Sequence, residues 1–189
     1  MTLFRTVEPT AEPVTLAEAK AHLRLAGSGE DDLLAGLIRA AREDVERSTG
    51  VALIDQHWRL SLDCLPRNDT ISLLRHPLRE ITGVTAFGSE GEATLVSPDD
   101  YFVDLDSRPA RLHFLRRPSY GRALNGLEID FRAGFGEAGT DVPDLLRRAI
   151  LLLVAHWYEF RAGYRPDEQP VSYPPGYERM LSGHRLGRL

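Results

Sequence analysis

The chain has 189 residues, 42% of them hydrophobic, and its 23 basic and 28 acidic side chains give a net charge of −5. These values are typical of one globular domain, or of one domain with an insertion, and exclude a largely disordered chain. The longest apolar run, residues 149–155, is shorter than the roughly 20 residues that a membrane span needs. Its single cysteine, Cys64, excludes an internal disulfide and a thiolate metal cluster. Because the N-terminus also lacks the pattern of a signal peptide, we expect a soluble protein made in a reducing compartment.

Two helices are predicted in the first 50 residues. Thr15 and Glu18 have the spacing of a capping box, which predicts the start of the first helix, and Gly27 is placed to end it. A second helix begins near residues 28–31 and ends at Gly50. Its apolar stripe consists of Leu34, Leu37, Ile38, Ala41 and Val45. The pair predicts a helical hairpin with an acidic outer face.

From residue 56 to about residue 132 the hydrophobic period changes to two, which predicts β-strands. Short runs with this pattern are separated by turn residues and are not interrupted by a helical pattern. They cover residues 58–62, 71–73, 81–87, 101–105, 111–115 and 127–131. This spacing predicts a small antiparallel sandwich or barrel and argues against parallel strands joined by helices.

The third helix follows Pro143 and extends over residues 145–160. Residues 149–155 are apolar on every side of this helix, so more than one partner must cover it. We expect the N-terminal hairpin to cover one face and a neighbouring subunit to cover the other. A short amphipathic piece near Tyr177 and a basic end follow.

This order of elements predicts an α+β fold with a discontinuous helical domain. Residues 13–52 and 141–183 are expected to form a helical bundle, and residues 55–135 an inserted β-sandwich or barrel. Residues 184–189 are expected to be a flexible tail.

The clearest enzyme-like motif is the run of glycines from Gly134 to Gly139, which matches G-x-G-x-x-G after a strand and before a helix. In a dinucleotide-binding fold, the last glycine of this motif lies in the first turn of the helix, whose N-terminus binds the pyrophosphate. Here four residues separate Gly139 from the helix, so the glycine cannot take that position. The six histidines do not pair at metal-ligand spacing, and His156 with Glu159 supplies only two ligands. We predict no catalytic residue, no cofactor and no metal site.

Residues 106–125 carry five arginines against a single acid. This basic segment, which includes Arg111, Arg116 and Arg117, leaves two interpretations open. It could contact phosphates, or it could pair with an acidic neighbour such as the helix of residues 30–50. The negative charge of the whole chain does not favour sequence-specific DNA binding.

Several segments in one unbroken order resemble the head–tail connector (adaptor) family of tailed phages, including the adaptors of gene transfer agents. They begin with PVTLAEAKAHLRL at residues 13–25 and end with PPGYERML at residues 174–181. The others are residues 30–34, 40–46, 49–50, 56–58, 132–136, 142–143 and 149–159. The resemblance therefore covers nearly the whole chain.

The resemblance implies a structural protein without enzymatic activity or cofactor. It implies a homo-oligomeric ring, usually a dodecamer, that lies beneath the portal protein at the head–tail junction of a virion or gene transfer agent particle. Such a ring is assembled in the bacterial cytoplasm, lets double-stranded DNA pass without sequence-specific binding, and docks a tail-side neck or stopper protein; no membrane is involved. A neck or tail-completion protein further from the head is the main alternative, and a nucleotide-binding enzyme that uses residues 134–139 is a weaker one.

Two sets of residues are expected to carry this assembly. The segment after Gly163 is expected to dock on the portal, and removing it should leave a folded monomer. The docking residues are Tyr177, Met180, Leu181, Arg185, Leu186, Arg188 and Leu189. The expected ring-interface residues are Leu152, Val154, Arg111, Arg116, Arg117, Glu43 and Glu46.

Overall fold

The computed structural model describes residues 1–160 and 173–185. The chain divides into a β unit, residues 1–9 and 55–134, and a helical unit, which consists of residues 10–54 and continues from residue 135. Antiparallel sheets and helices are both present, so the predicted α+β class is confirmed. In the described part of the chain, no helix is long and apolar enough to cross a membrane.

The β unit contains two antiparallel sheets. The strands are β1 (Thr2–Val7), β2 (Gln56–Leu62), β3 (Thr70–Leu73), β4 (Leu78–Phe87), β5 (Ala93–Leu95), β6 (Tyr101–Asp104), β7 (Ala110–Phe114) and β8 (Leu127–Ala133). The five-stranded sheet has the order β1-β2-β8-β4-β5, and the three-stranded sheet has the order β3-β7-β6. Within this fully described unit neither sheet closes on itself, so the barrel that the strand spacing allowed is not formed.

The central strand β8 shows why a hydrophobic period of two correctly predicted a strand here. Leu127, Ile129 and Phe131 are fully buried, whereas Glu128 and Asp130 on the opposite face are half-buried. Strands β1 and β5 were not predicted. Both are edge strands with mostly exposed side chains, and such strands carry little hydrophobic alternation.

The helical unit contains α1 (Leu16–Leu23), α2 (Asp31–Thr49), α3 (Asp144–Phe160) and α4 (Tyr177–Ser182). The predicted capping box is present: the Glu18 amide donates to the Thr15 hydroxyl at 3.2 Å, and the Thr15 amide donates to the Glu18 carboxylate at 2.8 Å. Helix α2 ends at Gly50, with φ 78°, as predicted. Helix α1 ends earlier than predicted, because Arg24 rather than Gly27 adopts the left-handed conformation, with φ 58°.

Helix α3 is covered within the helical unit itself. It packs against α1, α2 and α4, and its residues Ala149, Ile150 and Leu153 are fully buried. Tyr177 and Leu181 of α4 complete the same core. The expectation that a neighbouring subunit must cover the second face of α3 is therefore wrong for the part that α4 covers, because α4 supplies that cover from the same chain.

Candidate assembly surfaces

A buried carboxylate of α2 forms hydrogen bonds that hold the short helix α4 against it. Asp44 accepts hydrogen bonds from the Tyr177 hydroxyl at 2.7 Å and from the Tyr173 hydroxyl at 3.1 Å. Arg47 donates to the same carboxylate at 2.7 Å. The two tyrosine rings stack with their centroids 4.9 Å apart. Burial, followed by the bond to Asp44, raises the pKa of Tyr177, so this hydroxyl stays a hydrogen-bond donor.

This packing decides how the expected portal-docking residues are placed. Tyr177 and Leu181 are fully buried, and Met180 is half-buried against the same core. Arg185 is at the surface and pairs with Glu178. The three remaining members, Leu186, Arg188 and Leu189, lie outside the described residues. The described docking residues thus divide into core residues and a surface residue at the chain end.

The ring-interface residues of the helical unit divide in the same way. Val154 is fully buried in the core. Glu46 is also buried, and its carboxylate accepts hydrogen bonds from Arg42 at 3.1 Å and from the Leu53 amide at 2.9 Å. These two side chains are therefore used inside their own unit and cannot present an outer face. Leu152 is half-buried and Glu43 is exposed, so both reach the surface.

The three arginines proposed for the interface are exposed, and each forms an ion pair within the β unit. Their partners contribute carboxylates from neighbouring strands and turns. The pairs are Arg111–Asp104 at 2.6 Å, Arg116–Asp100 at 3.3 Å and Arg117–Asp69 at 2.6 Å. A count of charges along residues 106–125 missed these acids because they lie elsewhere in the sequence. The basic segment is thus largely neutralised where it lies on the fold.

The glycine-rich loop is closed by its own carboxylate. A Cβ atom added at Gly136 would lie 2.1 Å from an Asp141 carboxylate oxygen, and Asp141 also accepts a hydrogen bond from the Ala138 amide at 3.0 Å. Because a carboxylate lies against this loop, it repels a phosphate instead of attracting one. Helix α3 begins only at Asp144, so its N-terminus is not next to the glycines. The part of the chain that the structure describes also holds no group of three His, Cys, Asp or Glu side chains suited to a metal.

A groove in the helical unit was not anticipated from the sequence. Its volume is about 610 Å³, and it lies between the segment before α1, one side of α2 and the loop before α3. Its apolar wall includes Pro13, Val14, Leu16, Ala35, Ile38 and Ala138. Charged side chains stand at its rim, among them Arg39 and Glu12. Burial raises the pKa of Glu12, although Arg42 donates to its carboxylate at 2.9 Å. An apolar depression with a charged rim is a common form of protein-binding surface.

Residues 13–84 match the family model of the phage gp6-like head-tail connector protein. A comparison with curated proteins gives no significant match.

Solved structures extend the similarity to the whole chain. The chain is similar to a protein in the neck of an empty gene transfer agent particle computed with C6 symmetry, with a TM-score of 0.86 and 28% identity. It is also similar to a protein in the neck of a native gene transfer agent particle computed with C12 symmetry, with a TM-score of 0.83 and 27% identity. Each match covers 100% of this chain and 97% of the other. A match in the virion of a native particle has a TM-score of 0.85 at 27% identity. The resemblance seen in the sequence is therefore confirmed: residues 13–84 match the head-tail connector family model, and the whole chain is similar to proteins in the necks of gene transfer agent particles.

Proposed function

We propose that this protein is a structural head–tail connector subunit at the head–tail junction of a phage or gene transfer agent particle. The observation that carries the proposal is the similarity, over the whole chain, to proteins in the necks of gene transfer agent particles. The proposed assembly is a ring, with a dodecamer as the expected form. The ring would let double-stranded DNA pass through its channel without sequence-specific binding, and no enzymatic step or cofactor is part of this role.

The charge of the protein suits a DNA channel. The net charge is −5, and three arginines of the basic segment, Arg111, Arg116 and Arg117, are neutralised by neighbouring carboxylates. This segment is therefore poorly suited to capture phosphates. Captured phosphates would slow DNA during packaging and ejection, because each neutralised phosphate strengthens binding. We also propose that residues 13–52 and 141–183 form one discontinuous helical domain, and that residues 55–135 form a β-sandwich domain inserted between its two parts in the sequence.

The proposed partner on the head side is the portal protein, and on the tail side a neck or stopper protein. Since Tyr177 and Leu181 are buried, we assign portal docking to the surface of α4 and to the chain end that begins at Arg185. Ending the chain after Arg185 should abolish portal capture in a pull-down and leave the core intact. The matched control, Arg185→Ala in the full-length chain, separates the ion pair with Glu178 from the missing residues. Full capture by the shortened chain would contradict this assignment.

Deleting the gene tests the function directly. We expect particles in which DNA-filled heads and tails are found separately, and complementation with the intact gene should restore the joined form. Electron microscopy counts both forms. If joined, infectious or transducing particles form without the gene, the connector function is wrong. Heads that retain a connector ring but lack tails would favour the alternative, a neck or tail-completion protein further from the head.

A further inference from the structure

We propose that the groove of the helical unit receives Leu33 of a second copy of this chain, so that α2 joins neighbouring subunits head to tail. Leu33 lies on α2, and its side chain is 40% exposed. The groove includes Ala35 and Ile38 of the same helix. The inference rests on the ring proposed above and names the surfaces that would close it.

The two surfaces lie on nearly opposite sides of α2. At 3.6 residues per turn, Leu33 points about 160° away from Ala35 and about 140° away from Ile38. Leu33 therefore cannot enter the groove of its own chain. In a ring, each subunit uses two different patches, and for twelve subunits these patches face directions about 150° apart. A projecting leucine on one side and a groove on the other side match this requirement.

Charge supports a second copy as the occupant. Asp32, beside the projecting leucine, and Arg39, at the groove rim, are both exposed. Within residues 1–160 and 173–185, neither side chain forms an ion pair, although the charge of Arg39 slightly opposes the burial that raises the pKa of the nearby Glu12. When Leu33 of one copy enters the groove of the next, Asp32 comes to the same rim as Arg39. The contact would pair one acid and one base at the edge of an apolar centre, which is the usual arrangement of an interface.

Disulfide trapping tests this contact. In a Cys64→Ser background, which removes the exposed native thiol, Leu33→Cys and Ala35→Cys are introduced into one chain. The two sites lie on opposite sides of one helix, so they cannot form a disulfide within a chain. Mild oxidation of the protein, alone and with the portal protein, should give a ladder of covalent oligomers on a non-reducing gel. A face-to-face contact between identical patches would stop at crosslinked dimers and would contradict the inference.

A control and a charge swap sharpen the result. Leu124→Cys with Ala35→Cys uses an exposed leucine of the β unit and should give no ladder. Leu33→Asp should weaken assembly roughly tenfold or more, as measured by sedimentation, because a leucine that the proposed contact buries is replaced by a charge. Asp32→Arg and Arg39→Asp should each weaken assembly, and the double variant should restore it; without that rescue, the pairing is wrong. If electron microscopy shows rings but oxidation gives no ladder of crosslinked oligomers, the inference is overturned and the connector function is left intact. Failure of the unmodified protein to form any ring, with or without the portal, would overturn both.

Discussion

The Tyr177 hydroxyl donates a 2.7 Å hydrogen bond to the buried carboxylate of Asp44 and so ties α4 to α2. Both side chains are almost completely buried. Tyr177→Phe removes this bond and keeps the ring, so we expect a loss of roughly 1.5–3 kcal/mol in the free energy of unfolding, typical of a bond to a charged group. Urea denaturation measures it.

Tyr173→Phe is the matched control for this variant. Its hydroxyl bonds to the same carboxylate at 3.1 Å, but its side chain is exposed, so we expect a smaller loss. Equal losses for the two variants would mean that burial does not strengthen the Tyr177 bond.

The same contact revises our expectation for truncation after Gly163, since this removes two buried side chains, Tyr177 and Leu181, from the core. We expect that shortened chain to be destabilised rather than simply unable to dock.

Val154→Asp and Leu152→Asp should have different effects, although only one residue separates the two positions. Val154 is fully buried in the helical core, so a carboxylate there is buried without a partner, and we expect unfolding of the helical unit. Leu152 is half-buried, so its variant should remain folded and report on assembly alone. Circular dichroism of both variants, followed by sedimentation of the folded one, distinguishes these outcomes. If the Val154 variant has wild-type thermal stability, the packing described for α3 is wrong.

The sequence predicted those features that depend on local periodicity. The capping box at Thr15, the end of α2 at Gly50 and the alternation along β8 are all written in neighbouring residues. Which surface covers an apolar face depends on residues far apart in the chain, so local periodicity could not predict it. Glu46 was predicted to lie on the outer face of α2, because the residues next to it in sequence do not indicate that its carboxylate accepts a hydrogen bond from the Leu53 amide.

The candidate surfaces show the same division. The basic character of Arg111 could be read from composition, but its partner Asp104 belongs to the adjacent strand β6. The groove beside Ala35 is made by three separate segments, so no single motif could reveal it. The overall role could be predicted from the sequence for a different reason. Many short motifs, each weak alone, occur in the order that is typical of a known family.

Gly136→Ala should destabilise the helical unit, because the added methyl group would overlap the Asp141 carboxylate. We expect a loss of roughly 1–3 kcal/mol, as for other overpacked sites, measured as a lower midpoint of urea denaturation. Gly27→Ala is the control, since nothing lies within 4 Å of the position of its added Cβ. Equal midpoints for the two variants would contradict the close contact.

Equilibrium dialysis of the unmodified protein with ATP or NAD should show no binding, and saturable binding would revive the nucleotide-binding alternative.

The pH dependence of Asp104 provides a test of the β unit. Hydrogen bonds from Ser107 and then from Arg111 lower the pKa of Asp104 from 3.8 to about 2. Because the folded state holds the proton less tightly than the unfolded state, the stabilisation by this carboxylate is complete above about pH 4 and is lost as the pH falls towards 2. Ser107→Ala should move the pKa of Asp104 back towards 3.8, as followed by carboxyl-carbon NMR. Ser119→Ala, an exposed serine of the same unit, should leave the titration of Asp104 unchanged; if both variants shift it equally, the Ser107 bond is not its cause.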